Sequence, residues 1–285
     1  MKNELSNSAA DAKTHLIHLT EKEFSQLSSF VKTKFGIDLT QKRTLIEGRL
    51  THDLRSRGIQ SFQEYLDILF NDSSGTEITN LLNRLTTNLS YFMRETDHFD
   101  YLLRRILPEW DQRLKSHDLR IWSAGCSSGQ EAYNAQMVIH EYFGPRQSMW
   151  DTTILATDIS MKALNKAKSG IYTLDELKDI PAKWKAKYFH PVGNDSFQIC
   201  EQIRREVVFR PFNLMDPFQF KKPFDLIFCR NVMIYFDTET KKKLVQKFYD
   251  WTAPGGYLFI SHSESLSSLG SQYAYIHPAI YQKQV

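Results

Sequence analysis

The chain reads as an α/β protein: a Rossmann-like, mostly parallel sheet behind an N-terminal all-helical domain, with a small inserted β-subdomain. Three observations predict this. Up to about residue 107 the apolar residues recur at helical spacing. From Leu119 onward short apolar runs alternate with amphipathic stretches, as in a parallel sheet covered on both faces. Between Ile171 and Arg205 that alternation breaks in a segment rich in Lys, Asp and Pro. The organisation that follows is a disordered N-terminus (1–15), a helical domain (16–90), a linker helix (91–117) and an α/β domain (118–285) with an insert at about 171–205.

In the helical part, Thr20 to Glu23 form a capping box, and Phe24, Leu27, Phe30, Val31 and Phe35 follow at helical spacing until Gly36. A second helix runs from about Gln41 to Arg57. Ser61 and Glu64 form another capping box ahead of Tyr65 to Phe70, and Ile78 to Leu85 mark a fourth helix. A fifth, carried by Phe99 to Leu107, is expected to close near Pro108. Strands are expected at Leu119 to Trp122, Thr152 to Thr157, Val207 to Phe212, Phe224 to Cys229 and Gly256 to Ile260. Helices are expected at Glu131 to Tyr142, Met161 to Ser169 and Thr238 to Asp250. Two short runs around Gly193 to Asp195 read as β within the insert, and Tyr273 to Ile276 with Ala279 to Gln282 as a closing antiparallel pair.

Composition narrows the function. With 285 residues and 41% hydrophobic content the chain can bury a large core. Its net charge of +3 lacks the basic excess usual for a nucleic-acid binder, so no nucleic-acid partner is expected. Cys126, Cys200 and Cys229 are widely spaced, which reads as free thiols in a reducing, cytoplasmic setting and not as disulfides or a metal site. The polar N-terminus carries no secretion signal, and no run approaches roughly 18 apolar residues, so no membrane insertion is expected.

The chemistry gathers after the first strand. Leu119 to Trp122 runs into Ser123-Ala124-Gly125-Cys126-Ser127-Ser128-Gly129, a small-residue loop that opens a helix and lets backbone approach a ligand. The loop is neither G-x-G-x-x-G nor a P-loop, which disfavours pyrophosphate and a dehydrogenase. Asp158 ends the next strand, where an acid accepts hydrogen bonds from ribose hydroxyls. A nucleoside carrying an amino acid fits this pair, as in S-adenosylmethionine. The segments Thr87 to Ser90, Phe212 to Asp216 and Arg230 to Phe236 are expected at the same sheet edge, although an Asn after a strand also serves as a simple turn or cap.

At these residues the chain resembles the chemoreceptor glutamate methyltransferases of the CheR type, over nearly its whole length. The carrying motifs are Thr86 to Glu95 (TTNLSYFMRE), Trp122 to Glu131 (WSAGCSSGQE), Ala156 to Ile159 (ATDI), Cys229 to Asp237 (CRNVMIYFD) and Ser261 to Glu264 (SHSE). The resemblance implies a class I methyltransferase sheet and S-adenosylmethionine as cofactor, with S-adenosylhomocysteine as product and no metal. It implies cofactor contacts at Asn88, Ser90 and Arg94, acidic contacts at Glu131 and Asp158, adenine-side contacts at Asn213 and Leu214, and Arg230 with Asn231 lining the same cleft. Arg94 and Tyr235 resemble the pair nearest methyl transfer. The chain departs from the pattern at Gln130 and Ala132, where Glu and Pro are common, and Ser90 stands where Thr is frequent.

The implied partner is the cytoplasmic helical region of methyl-accepting chemotaxis receptors, met by the basic second helix through Arg49 and Arg55. On residues alone, a solvated charged face is the usual reading of that run, and the resemblance brings docking level with it. In some members the insert docks a receptor C-terminal tail; here its hairpin around Gly193 is short. Two other readings share the cleft: a methyltransferase of a small molecule or RNA, and a non-catalytic S-adenosylmethionine sensor. The aromatics of the N-terminal helices follow core spacing instead of interleaving with Lys and Arg, which disfavours RNA. His262 and Glu264 read as structural groups at a strand end.

Overall fold

The computed structural model describes residues 17–85 and 90–285. The expected disordered N-terminus and Asn88 therefore lie outside the described residues. Four helices open the chain: α1 (Glu21–Phe35), α2 (Arg43–Ser56), α3 (Phe62–Phe70) and α4 (Thr76–Leu85). Thr20 and Glu23 make the reciprocal capping box, and Gly36 closes α1 in the left-handed region at φ 72°. The second box is incomplete. Ser61 accepts from the Glu64 amide at 3.1 Å, but the Glu64 carboxylate reaches past the cap to the Gln60 amide at 2.8 Å.

The linker helix does not close at Pro108. It runs as α5 (Thr96–Tyr101), a π-turn (Leu102–Ile106) and α6 (Leu107–Arg113). At the π-turn the Leu107 amide reaches back five residues to the Leu102 carbonyl. This wider turn admits Pro108, which has no N–H and whose ring crowds the preceding turn of a regular helix.

The α/β domain follows with β1 (Ile121–Ala124), α7 (Gln130–Phe143), β2 (Ile154–Asp158) and α8 (Met161–Ser169). The insert holds β3 (Ile171–Thr173), α9 (Ala182–Tyr188), β4 (Phe189–Pro191), β5 (Ser196–Ile199) and α10 (Glu201–Arg204). Then come β6 (Val207–Pro211), β7 (Phe224–Cys229), α11 (Thr238–Trp251), β8 (Thr252–Ile260), β9 (Ala274–His277) and β10 (Ile280–Gln282). The first strand begins two residues later than its apolar run. Leu119 is instead anchored by its amide on the Asp151 carbonyl.

The main sheet has seven strands in the order β6-β2-β1-β7-β8-β10-β9. The first five are parallel, and β10 returns antiparallel against β8. The order reverses between β1 and β7, so a crevice opens there at the carboxyl ends of the strands. The insert is a separate three-stranded antiparallel sheet, β3-β5-β4. It is packed against the crevice: buried Tyr172 of β3 donates to the Ser128 carbonyl at 2.6 Å, and Phe92 of the linker packs edge-on against Tyr172 and Phe189.

One apolar core joins α1 to α4 to one face of the sheet, with Trp122 surrounded by Phe212, Phe218, Phe220, Phe224 and Phe248. The helical domain is also stitched to the site. Ile37 forms an antiparallel bridge with Phe236, the Asp38 amide donates to the Tyr235 carbonyl at 2.8 Å, and Lys32 pairs with Asp237 at 2.7 Å.

Candidate active site

The loop after β1 is folded by its own backbone. The Gly125 and Cys126 amides both donate to the Thr157 carbonyl of β2, and the Gly129 amide donates to the Cys126 carbonyl. Gly125 and Gly129 sit at φ +92° and +94°, where a side chain strains the backbone. The reason for glycine differs from the one expected. A Cβ at Gly125 would stand 2.3 Å from Val232 Cγ2, and one at Gly129 would stand 2.9 Å from Ala167 Cβ. The glycines let the loop pack on the protein itself and do not simply leave room for a ligand. Gly129→Ala should therefore cost about 2–4 kcal/mol in urea unfolding, the sum of left-handed strain and overpacking. Gly58→Ala, with positive φ but nothing within 4 Å, should show the strain alone.

Around this loop a single cleft, with about 990 Å³ of free space counting its open mouth, gathers residues from every segment expected at the sheet edge. Ser90 and Arg94 come from the linker, Glu131 from α7 and Asp158 from the end of β2. Asn213 and Leu214 follow β6, and Arg230, Asn231 and Tyr235 follow β7. Phe35 and Ile37 bring the helical domain into the wall, and Phe99 the linker helix.

The side chains differ in how they meet the cleft. Asp158 accepts from the Ser127 and Ser160 amides, each at 2.8 Å, and burial pushes its carboxyl up while those amides oppose the shift. Glu131 accepts from Ser123 Oγ at 2.6 Å and from Arg230 at 3.2 Å; burial raises its carboxyl, with Arg230 opposing. The Arg230 side chain is only 2% exposed. Its guanidinium points inward, donating to Glu95 at 3.0 Å, to Glu131 and to the Arg94 carbonyl. It is thus a strut between linker and sheet. Asn213, also on the wall, likewise donates its amide to the Lys34 carbonyl at 2.8 Å. Asn231, at φ 59°, donates to Ser261 Oγ at 2.7 Å.

Glu95 is the residue that sequence reasoning passed over, although it closes the first quoted motif. Its carboxylate accepts from Arg230 and from Ser261 Oγ at 2.9 Å; burial raises its pKa, but Arg230 and Ser261 pull it below the usual value. Beneath it lies buried His98, whose pKa is lowered to about 4 by burial and by Arg230. Donor atoms of Glu95, His98 and His262 lie within 4.8 Å of one another. The Arg230 cation on the same carboxylate repels a dication, so this is an ion-pair network in which His262 turns to Asp97 at 3.0 Å.

Four of the six non-glycine residues with positive φ among the described residues line or flank the cleft: Met93, Glu95, Ser127 and Asn231. Met93 and Glu95 bracket Arg94. Backbone held in this region costs energy and persists where the surroundings over-determine it, which is common at functional sites.

Residues 88–280 match the profile of the CheR methyltransferase SAM-binding domain, and residues 22–86 match that of the CheR all-alpha domain. The chain belongs to the CheR methyltransferase family. It is 41% identical over 272 residues to the chemotaxis protein methyltransferase of Borreliella burgdorferi, covering 94% of this chain and 96% of that protein. It is 37% identical to a probable chemotaxis protein methyltransferase of Rhizobium etli, covering 81% of this chain and 88% of that protein. The Escherichia coli chemotaxis protein methyltransferase is 34% identical over 94% of this chain and 93% of its own.

As a CheR-family member the chain is an S-adenosylmethionine-dependent methyltransferase, and its cleft fits that cofactor. Two carboxylates face it, and among the described residues no lysine lines it, so it is not a P-loop type of phosphate site. A buried amide on its wall, that of Asn134, has no hydrogen-bond partner among the described residues.

The basic helix departs from its expected arrangement. Arg49 is half-buried and donates to the Arg84 and Leu85 carbonyls at 3.0 and 3.1 Å, satisfying the C-terminal end of α4. Arg43 pairs with Glu21, and Arg57 with Glu77 at 2.8 Å. Arg55 and His52 are exposed, and the Lys42 ammonium stands 5.2 Å over the Tyr235 ring.

Proposed function

We propose that the chain methylates glutamate side-chain carboxylates of bacterial chemoreceptors, giving glutamate methyl esters. The observation that carries this is the convergence of Arg94 and Tyr235 with the acidic pair Glu131 and Asp158 in one cleft of a CheR-family chain. When bound, S-adenosylmethionine supplies an electrophilic methyl on a sulfonium. Asp158 receives the ribose hydroxyls, Asn213 and Leu214 the adenine side through backbone, and Glu131 the polar groups of the opposite end; Asn88 and Ser90 add contacts from the linker. Arg94 holds the cofactor and offsets nearby charge. Tyr235 donates a hydrogen bond that orients the incoming carboxylate.

A glutamate carboxylate is already ionised near neutral pH, so the reaction needs no general base and the protein acts by positioning and electrostatics. The cleft thiol Cys126 is pushed well up by burial, which keeps it protonated and out of competition as a nucleophile. Incubation with labelled methyl donor and receptor cytoplasmic fragments tests the reading. Base-labile label on glutamate is expected; label confined to RNA or a small molecule, or binding without transfer, would sink it.

The receptor side rests on α2. Arg55 is its exposed cation, and a helical, acidic receptor surface is its proposed partner. Arg55→Glu should lower receptor methylation roughly threefold to tenfold at low salt, with the loss fading as salt rises. Its melting temperature should stay at the wild-type value. Arg49→Glu should lower stability as well, because it strips the α4 carbonyls of their donor. An unchanged low-salt rate in Arg55→Glu would retire the contact. Methylation of a receptor's cytoplasmic region places the enzyme in the cytoplasm, and among the described residues no helix is long and apolar enough to cross a membrane.

A further inference from the structure

Asn134 stands on α7 one turn beyond Glu131, on the same helix face, and lines the cleft. It is 1% exposed, yet among the described residues neither its amide nitrogen nor its amide oxygen has a hydrogen-bond partner. Other polar side chains of the cleft have protein partners: Glu131 is held by Ser123 and Arg230, Asp158 by two loop amides, and Asn231 by Ser261. The fold does not call for asparagine here. Its helix propensity is poor, and an unpaired buried amide is costly. An orphan on a cleft wall asks for a ligand group.

We propose that Asn134 hydrogen-bonds the amino-acid end of S-adenosylmethionine, a positioning contact that rests on the cleft being the cofactor site. Strand order supports this end. Asp158 and Asn213 follow β2 and β6, on one side of β1. Glu131 is tied to Arg230 at the end of β7, on the other side. A ligand whose ribose meets Asp158 therefore directs its far end toward α7. A primary amide offers two donors and an acceptor, which complements a carboxylate beside an ammonium. Glu131, one turn away, favours the ammonium.

The test is calorimetric binding of S-adenosylhomocysteine and of 5′-methylthioadenosine, which lacks the amino-acid end, together with melting of the ligand-free protein. For Asn134→Ala, S-adenosylhomocysteine affinity should fall about tenfold, the equivalent of one hydrogen bond, while 5′-methylthioadenosine affinity stays within roughly twofold. The ligand-free protein should melt at or above the wild-type temperature, because an unpaired amide has been removed. An unchanged S-adenosylhomocysteine affinity would mean the amide holds only water and overturns the proposal. Equal losses for both ligands overturn it too, since the contact is then elsewhere. If alanine fails to fold, Asn134→Ser takes its place with the same ligand contrast. A wild-type protein that binds neither ligand overturns the cofactor reading itself.

Discussion

Replacing Arg230 with methionine should destabilise the fold by about 3–5 kcal/mol, the cost of removing one partner from a buried ion-pair network. The Arg230 side chain is 2% exposed, and its partners Glu95 and Glu131 are 14% and 12% exposed, so water cannot take its place. Methionine fills similar volume and packs on Phe99 as the guanidinium does, so the loss is electrostatic and not a cavity. The pH dependence gives the signature. Without the cation both carboxyls are raised in the folded state above their unfolded value of about 4.3. The folded chain then holds protons that the unfolded chain has released, so the variant's deficit grows as pH rises through the folded values. Urea unfolding at pH 5 and pH 8 checks this. Equal deficits at both would remove the two carboxylates from the account. Adding Glu95→Gln and Glu131→Gln should recover much of the loss.

Tyr235→Phe should lower the turnover of receptor methylation by about 10²-fold, the scale of losing one oriented donor at a reacting group, with cofactor affinity unchanged. Arg94→Ala should act mainly on binding, weakening S-adenosylmethionine roughly tenfold or more, as expected for a lost charge-assisted contact. The two are separated by measuring cofactor affinity in the absence of receptor and turnover at saturating cofactor. Near-normal turnover in both variants would take the pair out of the chemistry. Tyr235 is half-buried, sits in the 3₁₀ turn Met233–Tyr235, and has its carbonyl fixed by Asp38, so the substitution leaves the backbone in place.

Much of this architecture was legible because periodicity reports burial. Phe224–Cys229 is buried at every position and reads as an apolar run interrupted only by Asp225, so its bounds were clear. Met161–Ser169 carries both a cap at Ser160 and a stop at Gly170. What stayed hidden depends on partners distant in sequence. Pro108 marks a helix end until a π-turn absorbs it. Arg49 reads as a surface cation until α4 arrives with unsatisfied carbonyls. Arg230 lines the cleft as expected, but its grip on Glu95, 135 residues earlier, has no local signal. Asn134 carries no local signal beyond its spacing from Glu131, and only the fold shows that its buried amide has no partner among the described residues.

The bridge between Ile37 and Phe236 bears on how such enzymes diversify. The helical domain carries the surface proposed to meet receptors, which invites the idea that new receptor ranges arise by exchanging that domain as a cassette. Yet Phe35 and Ile37 are part of the wall of the cleft, and the neighbouring backbone grips the turn holding Tyr235. A transplanted domain must reproduce that grip or disturb the chemistry it is meant to redirect. Exposed positions on α2 such as Arg55 can change without disturbing that grip, whereas a whole-domain exchange cannot.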